Sequence, residues 1–217
     1  MARALHPPVA ARLGDVSTER LDMLRLRPEH AEALTPIFAE PAVWEFPYGR
    51  GLSASETDDF VRRRAHEWRD RGFGCWLLVE RATGRALGYA GLIVPVFLPE
   101  VLPAVEVGWR LDPAAWGRGY ATEAGRRALD EAFRKLGLPE VCSIIQPQNV
   151  GSIRVAERLG LTCRRAATVP ASGVRPPLPV GVYAIRRDEW PTPRRVPAGP
   201  PPGRPRPGRA RRAGSTS

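Results

Sequence analysis

A strand, a glycine turn and a helix follow one another between Ala104 and Leu136, and this succession constrains the fold more than any other feature of the chain. In "AVEVGWRLDPAAWGRGYATEAGRRALDEAF" the first residues alternate apolar and polar, as a half-buried strand does. Gly117, Arg118 and Gly119 then interrupt the alternation. From there the period changes, and Ala121, Ala124, Ala128, Ala132, Phe133 and Leu136 fall on one stripe of a helix. Glycine adopts backbone angles that are costly for other residues, and it lets a ligand approach the main chain. The first-turn amides of a helix have no internal acceptors. Together with the helix dipole they form an anion site suited to phosphate or pyrophosphate. Arg118 adds a positive charge and Thr122 a hydroxyl donor. A nucleoside-triphosphate loop would need a lysine here, and a dinucleotide fingerprint would need glycine where Thr122 stands. Taken alone, the turn fits a plain helix cap equally well.

The flanking segments supply the fold class. "RLDMLRLRP" predicts an edge strand, and Pro28 opens a helix, "PEHAEALTPIFAE". A second helix, "SASETDDFVRRRAHEWRDR", begins with Ser53 and Glu56 as a capping box and lines Phe60, Val61, Ala65 and Trp68 on one face. "CWLLVERA" and "RALGYAGLIVPV" read as a hairpin joined at "TGR". Beyond the central helix come a strand, "EVCSIIQ", and a helix, "NVGSIRVAERLG", with Asn149 as N-cap and Gly160 as C-terminal glycine. "CRRAATV" and "GVYAIRRDEW" close the order as a strand pair. The result is β-α-α-β-β-β-α-β-α-β-β, an α/β (α+β) fold with a mixed, mostly antiparallel sheet and helices on both faces.

The ends differ in composition from the middle. From Pro191 onward there are seven arginines and no acid, so the tail supplies +7 of the net +10. Its Pro/Gly/Arg-rich sequence has little to bury, and residues 191–217 are expected to be a disordered basic tail. Such a tail reads either as solvated or as a weak contact for nucleic acid or the ribosome. Residues 1–16 read as a flexible leader without a cleavable signal, leaving 17–190 as the domain. No apolar run approaches a membrane span. The three cysteines, Cys75, Cys142 and Cys163, suggest neither a disulfide framework nor a zinc site, and they suit a cytoplasmic setting. Cys142 and Cys163 lie in strand segments and read as packed thiols.

Several segments in register, "VEVGWRLDPAAWGRGYATEAGRRALDEAF", "QPQNVGSIRVAERLGL" and "YAIRRDEW", resemble the GNAT superfamily of N-acetyltransferases, in particular its RimJ/RimL-like branch. "STERLDMLRLRP" and "GFGCWLLVERATGRALGYAGL" are similar to that family's opening strands, so the resemblance covers Ser17 to Trp190. It implies acetyl-CoA as cosubstrate, no metal, an amine acceptor, and a monomer or homodimer. The family's Q/R-x-x-G-x-G/A turn falls on Trp116 through Ala121, with Trp116 departing at the first position. The resemblance assigns the pyrophosphate to the main-chain amides of Gly117, Arg118, Gly119, Tyr120, Ala121 and Thr122. It also implies that the strand before the turn splays from "EVCSIIQ", with the pantetheine arm in the gap paired to main-chain groups of Trp109 and Leu111. Asn149 would lie beside that arm, a role compatible with an N-cap.

The chemistry requires a neutral amine and a proton for the leaving thiolate. At pH 7 roughly a tenth of an α-amino group is neutral, against about one lysine in a few thousand. Glu106 shares a strand face with Gly108 and Arg110, and a carboxylate among apolar neighbours is costly unless it is paired or used. It is either a general base, as the family resemblance implies, or an ion-pair partner of Arg110. The tyrosine many family members use as acid is replaced by Ala156, and the resemblance turns to Ser152 near the sulfur; its alternative is a helix-start hydroxyl. Trp44, Phe46 and Tyr48 read either as walls of an acceptor pocket or as ordinary packing. The competing functional class is a non-catalytic acyl-CoA-binding or RNA-associated regulator working through the tail.

Overall fold

The computed structural model describes residues 12–172 and 176–191. The basic tail beyond Pro191 and most of the leader lie outside the described residues. Packing begins inside the segment expected as leader: Leu13 is buried, its amide donates to the Gly72 carbonyl, and the Gly14 carbonyl accepts Trp76 Nε1.

Eight strands form one sheet, in the order β1-β2-β3-β4-β5-β6-β8-β7. They are β1 (Val16–Ser17), β2 (Leu21–Arg25), β3 (Cys75–Glu80), β4 (Ala86–Ile93), β5 (Glu106–Leu111), β6 (Glu140–Ile145), β7 (Thr162–Val169) and β8 (Leu178–Arg186). Every neighbouring pair is antiparallel except β5 with β6. The helices are α1 (Ala31–Ala39), a short α2 (Glu45–Tyr48), α3 (Ala54–Arg71), α4 (Tyr120–Asp130) and α5 (Val150–Arg158). A π-helical turn, Glu131–Lys135, continues α4. The two-residue β1 and the short α2 are additions to the order read from the sequence. Both are too short to carry a period.

Period-2 alternation sorts the core into two layers. On one face Leu77, Tyr89 and Ile93 pack with Phe38 of α1 and Phe60 and Val61 of α3. On the other, Leu78, Ala90, Leu92 and Val107 pack with Ala124, Ala128 and Leu129 of α4 and Ala156 of α5. Local signals hold where they were read. Ser53 and Glu56 form a reciprocal capping box on α3, Asn149 Oδ1 accepts the Ser152 amide at the start of α5, and Gly160 takes φ +87° after it. Trp190 closes the core, with Nε1 donating to Asp130. Among the described residues, no helix is long and apolar enough to cross a membrane.

Cys142 is buried as expected, but Cys163 is exposed. β7 is an edge strand exposed along most of its length, so alternation there does not bring a residue into the core.

Candidate active site

The site lies where the parallel pair β5/β6 comes apart. One register pair, Glu106 with Cys142, joins the two strands, and the Cys142 amide donates to the Val105 carbonyl at 2.9 Å. Two residues further along β6, a continuing parallel ladder would send the Ile144 amide to the next β5 carbonyl. Instead it donates to Glu106 Oε1 at 3.2 Å. The carboxylate takes the place of a main-chain acceptor at the fork.

The ladder on the other side of β5 fixes which main-chain groups face the fork. The Asp112 amide donates to the Leu87 carbonyl at 2.8 Å, so even-numbered residues turn their main chain to β4. Val107, Trp109 and Leu111 therefore turn theirs toward the gap. The Leu111 carbonyl is taken by Trp116 Nε1 at 2.8 Å, and its amide remains on the gap side.

Glu106 is buried, 8% exposed. Burial pushes its pKa up to about 7, opposed by the Ile144 amide and then by the nearby Arg64 and Arg110 guanidiniums. The ion pair with Arg110 is not formed. Four strand residues set the two Cα atoms roughly 13 Å apart. Arg110 turns instead onto Trp44, with its guanidinium carbon 3.9 Å from the ring centroid, and donates to the Val43 carbonyl.

At the head of α4, Gly117 and Gly119 adopt φ of +72° and +83°, angles that favour glycine. The amides of Gly117, Arg118, Gly119, Tyr120, Ala121 and Thr122 find no protein acceptor among the described residues; the Glu123 amide is the first to be satisfied, by the Gly119 carbonyl. Thr122 Oγ1 is buried and also without a partner. Six outward donors and an orphaned hydroxyl fit a diphosphate.

Arg118 does not present a free charge to this nest. Its guanidinium pairs with Glu80 at 3.2 Å beside the Tyr120 ring. Glu80 also accepts the Tyr120 hydroxyl, which, with Thr83, holds its carboxyl below the usual range.

The sequence did not reveal what braces the turn. Arg20, in the β1–β2 connection, donates from Nη1 to the Arg118 carbonyl at 3.0 Å and from Nε to Glu123 at 2.7 Å, and it stacks on Tyr120. Thr18 Oγ1 and the Arg20 amide also bond Glu123. The strap draws the Arg118 carbonyl inward and leaves the amides outward. Its partners are about a hundred residues apart, and no spacing rule links them.

Asn149 and Ser152 meet each other at the start of α5, and neither hydrogen-bonds Glu106. The Ser152 hydroxyl has no protein partner among the described residues. Ala156 is fully buried, so that turn of α5 offers no acid. Trp44 is 4% exposed within an aromatic cluster with Phe38 and Phe60, which favours packing over a pocket wall; Phe46 is half-buried and Tyr48 exposed. Among the described residues, no cluster of three or more His, Cys, Asp or Glu could hold a metal.

Residues 20–162 match the acetyltransferase (GNAT) domain family. The Aspergillus fumigatus FsC-acetyl coenzyme A-N(2)-transacetylase is 30% identical over 187 residues, 80% of this chain and 76% of its own length. The Bacillus subtilis protein YkkB is 31% identical over 144 residues, 64% of this chain and 82% of its own. Among solved structures, an Agrobacterium tumefaciens acetyltransferase is 28% identical with a TM-score of 0.66, covering 83% of this chain and 99% of that one. RimL, a ribosomal-protein N-terminal acetyltransferase solved with coenzyme A, shares the fold at 18% identity and a TM-score of 0.63, covering 78% of this chain and 95% of its own.

Proposed function

We infer the reaction from one premise: the chain belongs to the GNAT acetyltransferase family, and it is an acetyl-CoA-dependent acetyltransferase. We propose that residues 17–190 form the catalytic domain and move the acetyl group directly to a primary amine, of a protein N-terminus or a small molecule. RimL, by its title, acetylates the α-amine of a ribosomal protein, which supports the first kind of acceptor.

The observation that carries the proposal is Glu106 buried at the fork, bonded to the Ile144 amide and to no cation. With a pKa near 7 it is about half ionised at neutral pH and can take the amine's proton at Oε2, directly or through water. Acetyl-CoA supplies the activated thioester. The Gly117–Thr122 amides hold its diphosphate, main-chain groups of Trp109 and Leu111 face its arm, and Asn149 closes that side. The Ser152 hydroxyl, without a protein partner among the described residues, supplies a hydrogen bond or a proton at the departing sulfur. Burial pushes the Cys142 thiol up, which disfavours a thiolate there and so favours direct transfer over an acyl-enzyme.

Release of free CoA thiol over a panel of amines, peptides included, tests this reading. At least one amine should drive release well above the hydrolytic background. Tight acetyl-CoA binding without release on any amine would leave a binding protein.

The arginine strap adds a prediction. Arg20→Ala should weaken CoA binding about tenfold by titration calorimetry, the loss of roughly one charged hydrogen bond's worth of ordering. The KM of a good acceptor should hardly move.

A further inference from the structure

Glu106 and Arg110 carry opposite charges on the α1/α3 side of β5, and they do not meet. Gly108 lies between them on that face, and a Cβ built there would touch only Ile93 Cδ1, at 3.4 Å. Gly108 itself therefore places no side chain between the two charges. Arg110 forms no salt bridge among the described residues. Among the described residues it donates to the Val43 carbonyl and lies against the Tyr89 hydroxyl, and its Nε is buried without an acceptor. Directly beneath it, Trp44 Nε1 is also buried and unpartnered. Arg64 of α3, the other cation near Glu106, is itself salt-bridged to Glu67 at 2.7 Å. Tyr89, across the strand pair from Arg110, offers a hydroxyl rather than a carboxylate. A half-buried guanidinium with no ion-pair partner and a buried, unmatched Nε is costly.

We propose that Arg110 binds a carboxylate of the acceptor, so that the substrate is an amine that also carries a carboxylate. Its amine lies at Glu106 and its carboxylate at Arg110, spanning Gly108. The inference rests on the reading of Glu106 as the base. Two sources share this chemistry: the α-carboxylate of a free amino acid, and an acidic side chain near a peptide's N-terminus.

Matched acceptors separate the sources: alanine against alaninamide, and the dipeptide amide Ala-Asp against Ala-Asn. Each is followed by CoA release, and by calorimetric titration into the CoA-loaded protein, with wild type, Arg110→Gln and Arg110→Lys. Wild type should prefer the carboxylate member of at least one pair by about tenfold or more, the order a charged hydrogen bond supplies. In Arg110→Gln that ratio should fall toward one, and Arg110→Lys should restore part of it. If Arg110 merely latches the 41–44 turn to the sheet, Arg110→Gln will lower both members alike and leave the ratio intact, which overturns the proposal. A wild-type ratio of one in both pairs overturns it too, while leaving acetyl transfer standing. Carboxylate-dependent binding that needs Arg110, without turnover on any amine, would keep the anion site and remove the acetyl-transfer reading. Neither binding nor turnover would remove both.

Discussion

Glu106→Gln is expected to lower kcat/KM for the amine by roughly 10²- to 10³-fold, within the usual range for a general base, while leaving the KM for acetyl-CoA nearly unchanged. The pH profile should change with it. The base acts deprotonated, so the wild-type rate should rise with pH through about 7, with about a tenth of the carboxylate ionised one unit below. That limb should vanish in the variant, whose amide does not titrate, leaving only the acceptor amine's own rise at about pH 8. A rate that keeps the same limb would assign the titration to another group.

The same burial makes an opposite prediction for stability. The folded pKa of Glu106 is raised above the ordinary 4.5 to about 7. Between those values the folded state binds the proton that the unfolded state has lost, so folding weakens as pH rises through this window. A shift of that size corresponds to a cost on the order of 3 kcal/mol once the group is ionised in both states. Glutamine keeps an oxygen for the Ile144 amide without the charge. Glu106→Gln should therefore melt higher than wild type at pH 8 and show little difference at pH 4.5, read by thermal unfolding at the two pH values. Loss of activity with gain of stability is the signature of a carboxylate kept for its chemistry.

The second large effect is expected at Gly119. Its φ of +83° costs a side-chain-bearing residue about 1–2 kcal/mol, and relaxing that strain rotates the amides of the turn. Gly119→Ala should raise the KM for acetyl-CoA roughly 30-fold, equivalent to one lost charged hydrogen bond of about 2 kcal/mol. With S-acetylpantetheine, which has no diphosphate, the KM should stay near the wild-type value. An equal rise for both thioesters would mean that the turn does not hold the diphosphate.

The sequence by itself determined the features whose partners lie within a few residues. The Ser53–Glu56 box, the Asn149 cap and the glycine turn before α4 are each settled by local backbone geometry and one or two short contacts. Alternation along 105–111 likewise placed Glu106 and Arg110 on one face and Val107 in the core, because a strand's period is two wherever it pairs. What alternation leaves open is what stands opposite that face. Only the tertiary structure decided that Glu106 meets the Ile144 amide at the fork, that Arg110 turns to Val43 and Trp44 instead of to Glu106, and that Arg118 is held by Glu80. Only it joined Arg20 to Glu123 and to the Arg118 carbonyl, and left Cys163 exposed on an edge strand. These contacts depend on which distant segments the sheet order brings together. That order is set by the packing of the whole core, and no residue's near neighbours record it.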